Sequence, residues 1–408
     1  MILYITYDGL TDPLGQSQII PYLVSLAGNG YNISILSVEK KENFQDSNLR
    51  DDTDSILKKA NINWHYIIYS KKPPVIATLW DIIKLRRKAN KIVKRNTYKI
   101  VHCRSYIPSL IGVYLKKRKN LKYIFDMRGF YADERVDGNI WNQNNPVFRR
   151  VYKYFKKKEQ QFIKQADAIV SLTDAARDII RKWNVYQENP APISVIPCCV
   201  DTNHFSYKNI TDDDKKNCRY ELGVRGNDFV ISYIGSLGTW YMVEEMLHFF
   251  KRLLLQIPSA KFLFITQSNP EMIYRYAEKY KIFPQYIIIK PAPRSMMPYY
   301  ISISNVSIFF IKPVFSKKAS SPTKFAELLA MGIPVICNAN IGDLDTCIRD
   351  FRLGIILHLF KPESYDMAIK DMEQFLPAEP YLLREVCKNL FSLEKGVELY
   401  EAIYQKLD

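Results

Sequence analysis

A chain of 408 residues, 47% of them apolar, has material for two domains that each bury a core, and this excludes a disordered or low-complexity protein. Its formal charge of +16 is concentrated, since residues 71–165 hold 25 Lys and Arg against 6 Asp and Glu. No stretch of 18 apolar residues runs without a charge, and the seven cysteines form neither a CxxC pair nor a His/Cys metal spacing, so no membrane-spanning helix, disulfide scaffold or structural zinc is expected.

Ile2–Tyr7 reads as a first strand, without the basic start and small-residue cleavage site of a secretory signal, which points to a cytoplasmic protein. The loop Asp8–Gln18, DGLTDPLGQSQ, carries two glycines and a proline. It feeds a helix ending near Gly28 and a strand at Tyr31–Val38, a βαβ unit. A basic helix at Trp80–Arg95, a strand at Ile100–His102, a helix at Pro108–Lys117 and a strand at Tyr123–Phe125 follow. That last strand opens into DMRGFYADERVD, where Asp126, Arg128, Asp133, Glu134, Arg135 and Asp137 crowd the end at which α/β proteins bind ligands. Asp126 there could accept a hydroxyl proton, and Arg128 could bind a phosphate. Alternatively Asp126 pairs internally with Arg128 or Arg135 and holds the loop.

Val147–Ala166 reads as a long basic helix, Ala168–Leu172 as a strand and Thr173–Trp183 as a capped helix, before the connecting segment ISVIPCCVDTNHF. The stretches KLRRKANKIVKR, KKRKNLK and RRVYKYFKKKEQQ suit an anionic membrane surface or phosphates, with solvated helix faces as the bland alternative. The second half opens with the strand Phe229–Ile234 and GSLGTWYMVEEML. Gly235 and Gly238 let the backbone approach a ligand there. Arg294, after the strand Tyr286–Ile289, reads either as a phosphate contact or as an exposed helix-start residue.

The most telling stretch runs from Val306 to Cys337: strand, Ser/Lys-rich loop, helix and second strand. Ser321 suits the N-cap and Pro322 the first helical position, and Gly332 with Pro334 ends the helix. Free N–H groups after Ser320 and Ser321, the helix dipole and the Lys324 charge favour an anion such as a diphosphate. Thr323, Lys324 and Glu327 share a face, and the Glu327 carboxylate either accepts both hydrogens of a ribose diol or merely pairs with Lys324. The tail FSLEKGVELYEAIYQKL is an amphipathic helix with Leu393, Val397, Leu399 and Tyr400 near one face. There is no GxGxxG fingerprint, which argues against a dehydrogenase, and no DxD motif in a suitable loop.

SPTKFAELLAMGIPVI, with GSLGTWYM, FDMRGFYADERVD and VIPCCVD in the expected order, resembles the retaining, nucleotide-sugar-dependent glycosyltransferases of family 4. The resemblance implies an α/β protein of GT-B fold, two Rossmann-like doubly wound domains facing an interdomain cleft. It places an acceptor-binding domain at 1–200, a nucleotide-sugar-binding domain at 201–385 and a helix at 386–408 packing back on the first. By the same resemblance Gly235, Ser236, Gly238, Thr239, Arg294, Ser320, Ser321, Thr323, Lys324 and Glu327 bind the donor, Glu327 through its ribose. Gly15, Gln16, Ser17, Asp133 and Glu134 face the acceptor, and Asp126 and Arg128 are catalytic, Asp126 standing where many members have a histidine. Ala319 replaces a glutamate found in many members eight positions before Glu327.

The implied activity is transfer of a sugar from a nucleoside diphosphate sugar to a glycan or lipid-linked acceptor in surface polysaccharide or glycoconjugate biosynthesis. No resident cofactor or metal is expected, the nucleotide sugar being a co-substrate. The expected partners are the donor, the acceptor and an anionic membrane, at whose inner face the protein is peripheral; no nucleic acid is expected. A sugar-nucleotide epimerase of GT-B type and a non-catalytic basic membrane- or nucleic-acid-binding module are the alternatives.

Overall fold

The unbroken apolar runs along this chain become parallel strands covered on both faces, the environment in which a strand needs no polar alternation. The computed structural model describes residues 1–375 and 379–408. It divides into one unit of residues 1–197 with 393–408 and another of residues 198–392.

In the first unit β1 (Ile2–Thr6), β2 (Ile33–Glu39), β3 (Asn63–Ile68), β4 (Ile100–Arg104), β5 (Lys122–Asp126), β6 (Ala168–Ser171) and β7 (Ile193–Val195) form a parallel sheet of order β3-β2-β1-β4-β5-β6-β7. Every residue of β1, β2 and β4 is buried. The order reverses between β1 and β4, the switch point beyond which doubly wound sheets bind ligands. Register sets Thr6 opposite Arg104 and Arg104 opposite Asp126, so the polar ends of three strands share one edge.

In the second unit β8 (Val230–Ile234), β9 (Lys261–Ile265), β10 (Ile287–Lys290), β11 (Val306–Phe309), β12 (Val335–Asn338) and β13 (Gly354–Leu357) form a parallel sheet of order β10-β9-β8-β11-β12-β13. Here the reversal lies between β8 and β11. Gly235 begins the loop after β8, and the chain after β11 leads into the helix Thr323–Ala330, so both candidate donor segments leave the sheet at its switch point.

Three boundaries differ from expectation. Half of the loop Asp8–Gln18 is a helix, Pro13–Gln18, started by its proline. The basic helix begins at Pro74, not Trp80. The tail expected from residue 386 is two helices, Pro380–Phe391 in the second unit and Leu393–Leu407 in the first. Buried Arg384 holds the former by donating to the carbonyls of Thr202 (2.6 Å), Phe205 (2.9 Å) and Ala330 (2.8 Å). The latter packs its Tyr400 edge-on against Tyr22, with ring centroids 5.7 Å apart.

Candidate functional site

In the second unit the site is built around Lys324, in the first turn of the helix Thr323–Ala330. The side chain is buried and its Nζ has no hydrogen-bond partner. It lies 3.7 Å from the ring centre of Tyr241 and 4.1 Å from that of Tyr233. Aromatic faces attract an ammonium by about 0.5–2 kcal/mol, but they do not replace hydration. Burial therefore holds the Lys324 amine well below the usual lysine range, with Glu327 acting in the opposite direction. Gly235 is what makes room: with φ at +106°, a Cβ there would lie 3.2 Å from Nζ. A buried amine that has lost hydration and lies beside a glycine that leaves its flank open is a group whose charged form an anion would favour.

Glu327 is paired, but not with Lys324. Its Oε1 accepts from Arg294 at 2.6 Å, and the Arg294 guanidinium sits 5.0 Å above the ring of Phe205. Arg294 is thus half-buried and bonded to Glu327 rather than simply exposed. It orients the carboxylate assigned to the ribose. Ser321 does not cap the helix either: Pro322 holds the cap position and the Ser321 hydroxyl accepts from the Cys198 backbone N–H at 3.1 Å. The first N–H groups of a helix have no intrahelical acceptor, so without a side-chain cap they are available to a ligand. Ser320 and Thr323 are half-buried beside them, and Ala319 is buried.

The loop after β8 is shaped by backbone. Gly238 (φ +81°) and Thr239 (φ +47°) are left-handed, and the Ser236 carbonyl accepts from the Tyr233 hydroxyl. Gly235, Ser236 and Thr239 are exposed. The Lys317 Nζ, 3.7 Å over the Trp240 ring, adds a second buried cation to this end of the sheet.

In the first unit Asp126 ends β5 fully buried. Its Oδ2 accepts from the Tyr400 hydroxyl at 2.9 Å and lies 3.4 Å from His102 Nε2, while Oδ1 is 3.9 Å from Arg128 Nε. The Tyr404 hydroxyl lies 2.7 Å from His102 Nδ1. Burial pushes the Asp126 carboxyl up, but Arg128, His102 and Arg104 outweigh it and hold it below the ordinary range. Burial holds the His102 imidazole below its ordinary range as well. Beside them Arg104 donates to Asp8 Oδ2 at 3.2 Å. The expected direct contact of Asp126 with a substrate hydroxyl is not met, because the residue is fully buried; it lies 3.9 Å from Arg128, whose φ of +54° turns the chain at the sheet edge.

The expected acceptor residues fare unequally. Asp133, on the helix Tyr131–Asp137, accepts from the Tyr152 hydroxyl (2.9 Å) and Lys156 (2.8 Å), and Lys156 also meets buried Glu159 at 2.6 Å, so Asp133 serves the packing of two helices. Glu134 is half-buried on the same helix. Gln16 spends its amide on the Leu10 carbonyl (2.8 Å) and the Thr53 hydroxyl (2.9 Å), and the Ser17 hydroxyl turns back on the Pro13 carbonyl (2.8 Å). Gly15 is a packing glycine, since a Cβ would stand 2.1 Å from the Gly9 carbonyl oxygen. Gly15→Ala is therefore expected to cost about 1–3 kcal/mol by overpacking, read as a lower melting temperature without any ligand. An unchanged melting temperature would return Gly15 to a purely ligand-facing role.

The sequence assigned no site role to Glu39, Arg104, Tyr233, Tyr400 or Tyr404. Buried Glu39 holds the Gly9–Asp12 loop by accepting from Leu10 N–H (2.8 Å) and the Thr11 hydroxyl (2.7 Å). Tyr400 and Tyr404 do stand four residues apart on one helix face, a spacing that reads as ordinary core.

The model described as Glycosyltransferase Family 4 matches residues 23–204, and that described as Glycosyl transferases group 1 matches residues 214–389. A curated relative, D-inositol 3-phosphate glycosyltransferase of Mycobacteroides abscessus, is 21% identical over 292 residues, 70% of this chain and 60% of that protein. The chain thus spans less than two thirds of that relative's length. Among solved structures, sucrose-phosphate synthase from Thermosynechococcus elongatus superposes with a TM-score of 0.75 at 15% identity, covering 100% of this chain and 98% of that one. Anabaena Alr3699/HepE in complex with UDP and glucose gives 0.68 at 11% identity, covering 99% of each. At these identities the structural likeness is one of fold, the two-Rossmann-domain GT-B type.

Proposed function

The chain belongs to the glycosyltransferases of family 4, and from that premise we propose that it transfers a sugar from a nucleoside diphosphate sugar to a hydroxyl of a glycan or lipid-linked acceptor, with retention of configuration. The observation that carries this reading is Lys324, a buried ammonium without a hydrogen-bond partner beside Gly235 and the uncapped start of a helix. A diphosphate supplies what that arrangement lacks. Lys324 and the helix end neutralise its charge as it leaves the sugar, so no metal is assigned to the step and no resident cofactor is needed. Glu327, held by Arg294 at 2.6 Å, takes the ribose hydroxyls.

The acceptor is read from the first unit. Arg128 and buried Arg104 at the carboxyl edge of the sheet suit an anionic acceptor group, and the curated relative's name carries a phosphorylated acceptor. Asp126 orients Arg128 and is not assigned the role of base. Surface glycan or glycoconjugate assembly at the inner face of a membrane is the setting this chemistry suits.

The test is a thermal-shift screen of nucleoside diphosphates and their sugars, beginning with UDP because a structural neighbour was solved with it. At 100 times the dissociation constant a ligand stabilises by about 2.7 kcal/mol. The expected result is a shift selective for one base and lost in Glu327→Ala. No shift with any nucleotide would overturn the reading.

A further inference from the structure

The helix Pro74–Arg95 carries apolar residues on two faces. Ala77, Leu85, Ala89 and Ile92 are buried, and Asp81 among them accepts from the Tyr7 hydroxyl and the Ser70 N–H, each at 3.0 Å. Those bonds set the helix's rotation, and its core face is complete without further hydrophobes. Yet Ile76 (65%), Leu79 (55%), Trp80 (51%) and Ile83 (42%) stand exposed on the other side. Their spacing of i, i+3, i+4 and i+7 makes them one continuous stripe. Soluble surfaces scatter single hydrophobes; a contiguous stripe with a tryptophan marks an interaction face.

What covers it is read from charge. The same outward face continues in exposed Arg87, Lys91 and Lys94, and the helix holds seven Lys and Arg against one acidic residue, the buried Asp81. Apolar first half and cationic second half on one face is the pattern of a helix lying in a lipid interface, with the stripe among acyl chains and the cations among headgroup phosphates. Among the described residues no helix is long and apolar enough to cross a membrane, so this contact is peripheral. We propose that the outer face of the helix Pro74–Arg95 docks the protein on an anionic lipid bilayer, with Ile76, Leu79, Trp80 and Ile83 inserted and Arg87, Lys91 and Lys94 on the phosphates. The proposal stands apart from the donor site, which lies in the other unit.

The experiment is co-sedimentation of the full chain with phosphatidylcholine vesicles, with and without phosphatidylglycerol. Binding is expected to require the anionic lipid and to weaken as salt is raised. Leu79→Ser/Ile83→Ser and Arg87→Glu/Lys91→Glu should each weaken it by about tenfold or more, with unchanged melting temperature, oligomeric state and nucleotide-induced shift. Trp80→Phe should remove the vesicle-induced blue shift of tryptophan emission. Lys153→Glu/Lys157→Glu, on another basic helix, is the comparison and should lose far less. Absence of vesicle binding, or full binding by the Leu79/Ile83 variant, would overturn the proposal. A change of oligomeric state in that variant would also overturn it, because the face would then be a protein interface.

Discussion

Replacing Lys324 by methionine is expected to make the protein more stable and to remove its nucleotide binding. The two effects have one cause. In the free protein the ammonium is buried among Tyr233, Tyr241 and Phe309 with no hydrogen-bond acceptor, and methionine fills the same space without a charge to desolvate. Such a swap is worth about 1–2 kcal/mol in favour of the variant. The sign with pH follows from the depressed amine. Between the lowered folded value and the ordinary lysine value the unfolded chain binds the extra proton, so wild-type stability rises with pH across that window and the penalty is greatest below it. Lys324→Met should lack this slope. Nucleotide diphosphate affinity should fall on the order of 100-fold, because a charge-assisted contact is replaced by an apolar group facing phosphate. Paired thermal melts across pH, with and without nucleotide, check both arms. A variant that is less stable yet still binds would show that Lys324 is packing alone.

Replacing Asp126 by asparagine is expected to strike the first unit and spare nucleotide binding. Asn keeps the shape and one acceptor for the Tyr400 hydroxyl, but it removes the negative charge beside half-buried Arg128 and near Arg104, which keeps Asp8 as a carboxylate partner. Breaking a buried ionic contact on one side costs about 3–5 kcal/mol, a fall in melting temperature on the order of 10 °C for a unit of this size. Because the folded Asp126 carboxyl is held below its ordinary value of 3.8, its contribution is complete above that value and is lost as pH falls through the depressed one. The gap between wild type and Asp126→Asn should therefore close in acid. Transfer should drop with Arg128 misplaced, while nucleotide affinity is expected to stay within about twofold, since the nucleotide is proposed to bind residues of the second unit and Asp126 belongs to the core of the first. Loss of nucleotide binding in this variant would contradict that separation, and an unchanged melting temperature would contradict the ionic role.

The carboxyl-edge cluster shows why part of this site was legible and part was not. DMRGFYADERVD announces charge after a buried strand, and the parallel register then brings Arg104 beside Asp126. What no local pattern could indicate is that Asp126 is capped by Tyr400, 274 residues away in sequence. Likewise Glu327 and Arg294 were both singled out, each with a nearby or solvent alternative, but their bond to each other crosses two strand connections. Ser321 carried every sign of an N-cap and was diverted to Cys198, because a backbone donor brought in by the fold competed for the same oxygen.

By itself the sequence determined the two parallel α/β sheets, from buried runs such as ILYIT and VISYI that only a doubly covered sheet accommodates. It also marked the segment proposed for the donor, because a glycine turn after one strand and a lysine in the first turn of a helix are local devices for an anion. Only the tertiary structure decided how those charges are held. Lys324 lies between two tyrosine rings, Glu327 against Arg294 and Asp126 beneath the C-terminal helix, with four hydrophobes left outside on Pro74–Arg95. Hydrophobic periodicity tells which face of an element is apolar, but the energy of a buried charge depends on the partners that long-range packing supplies.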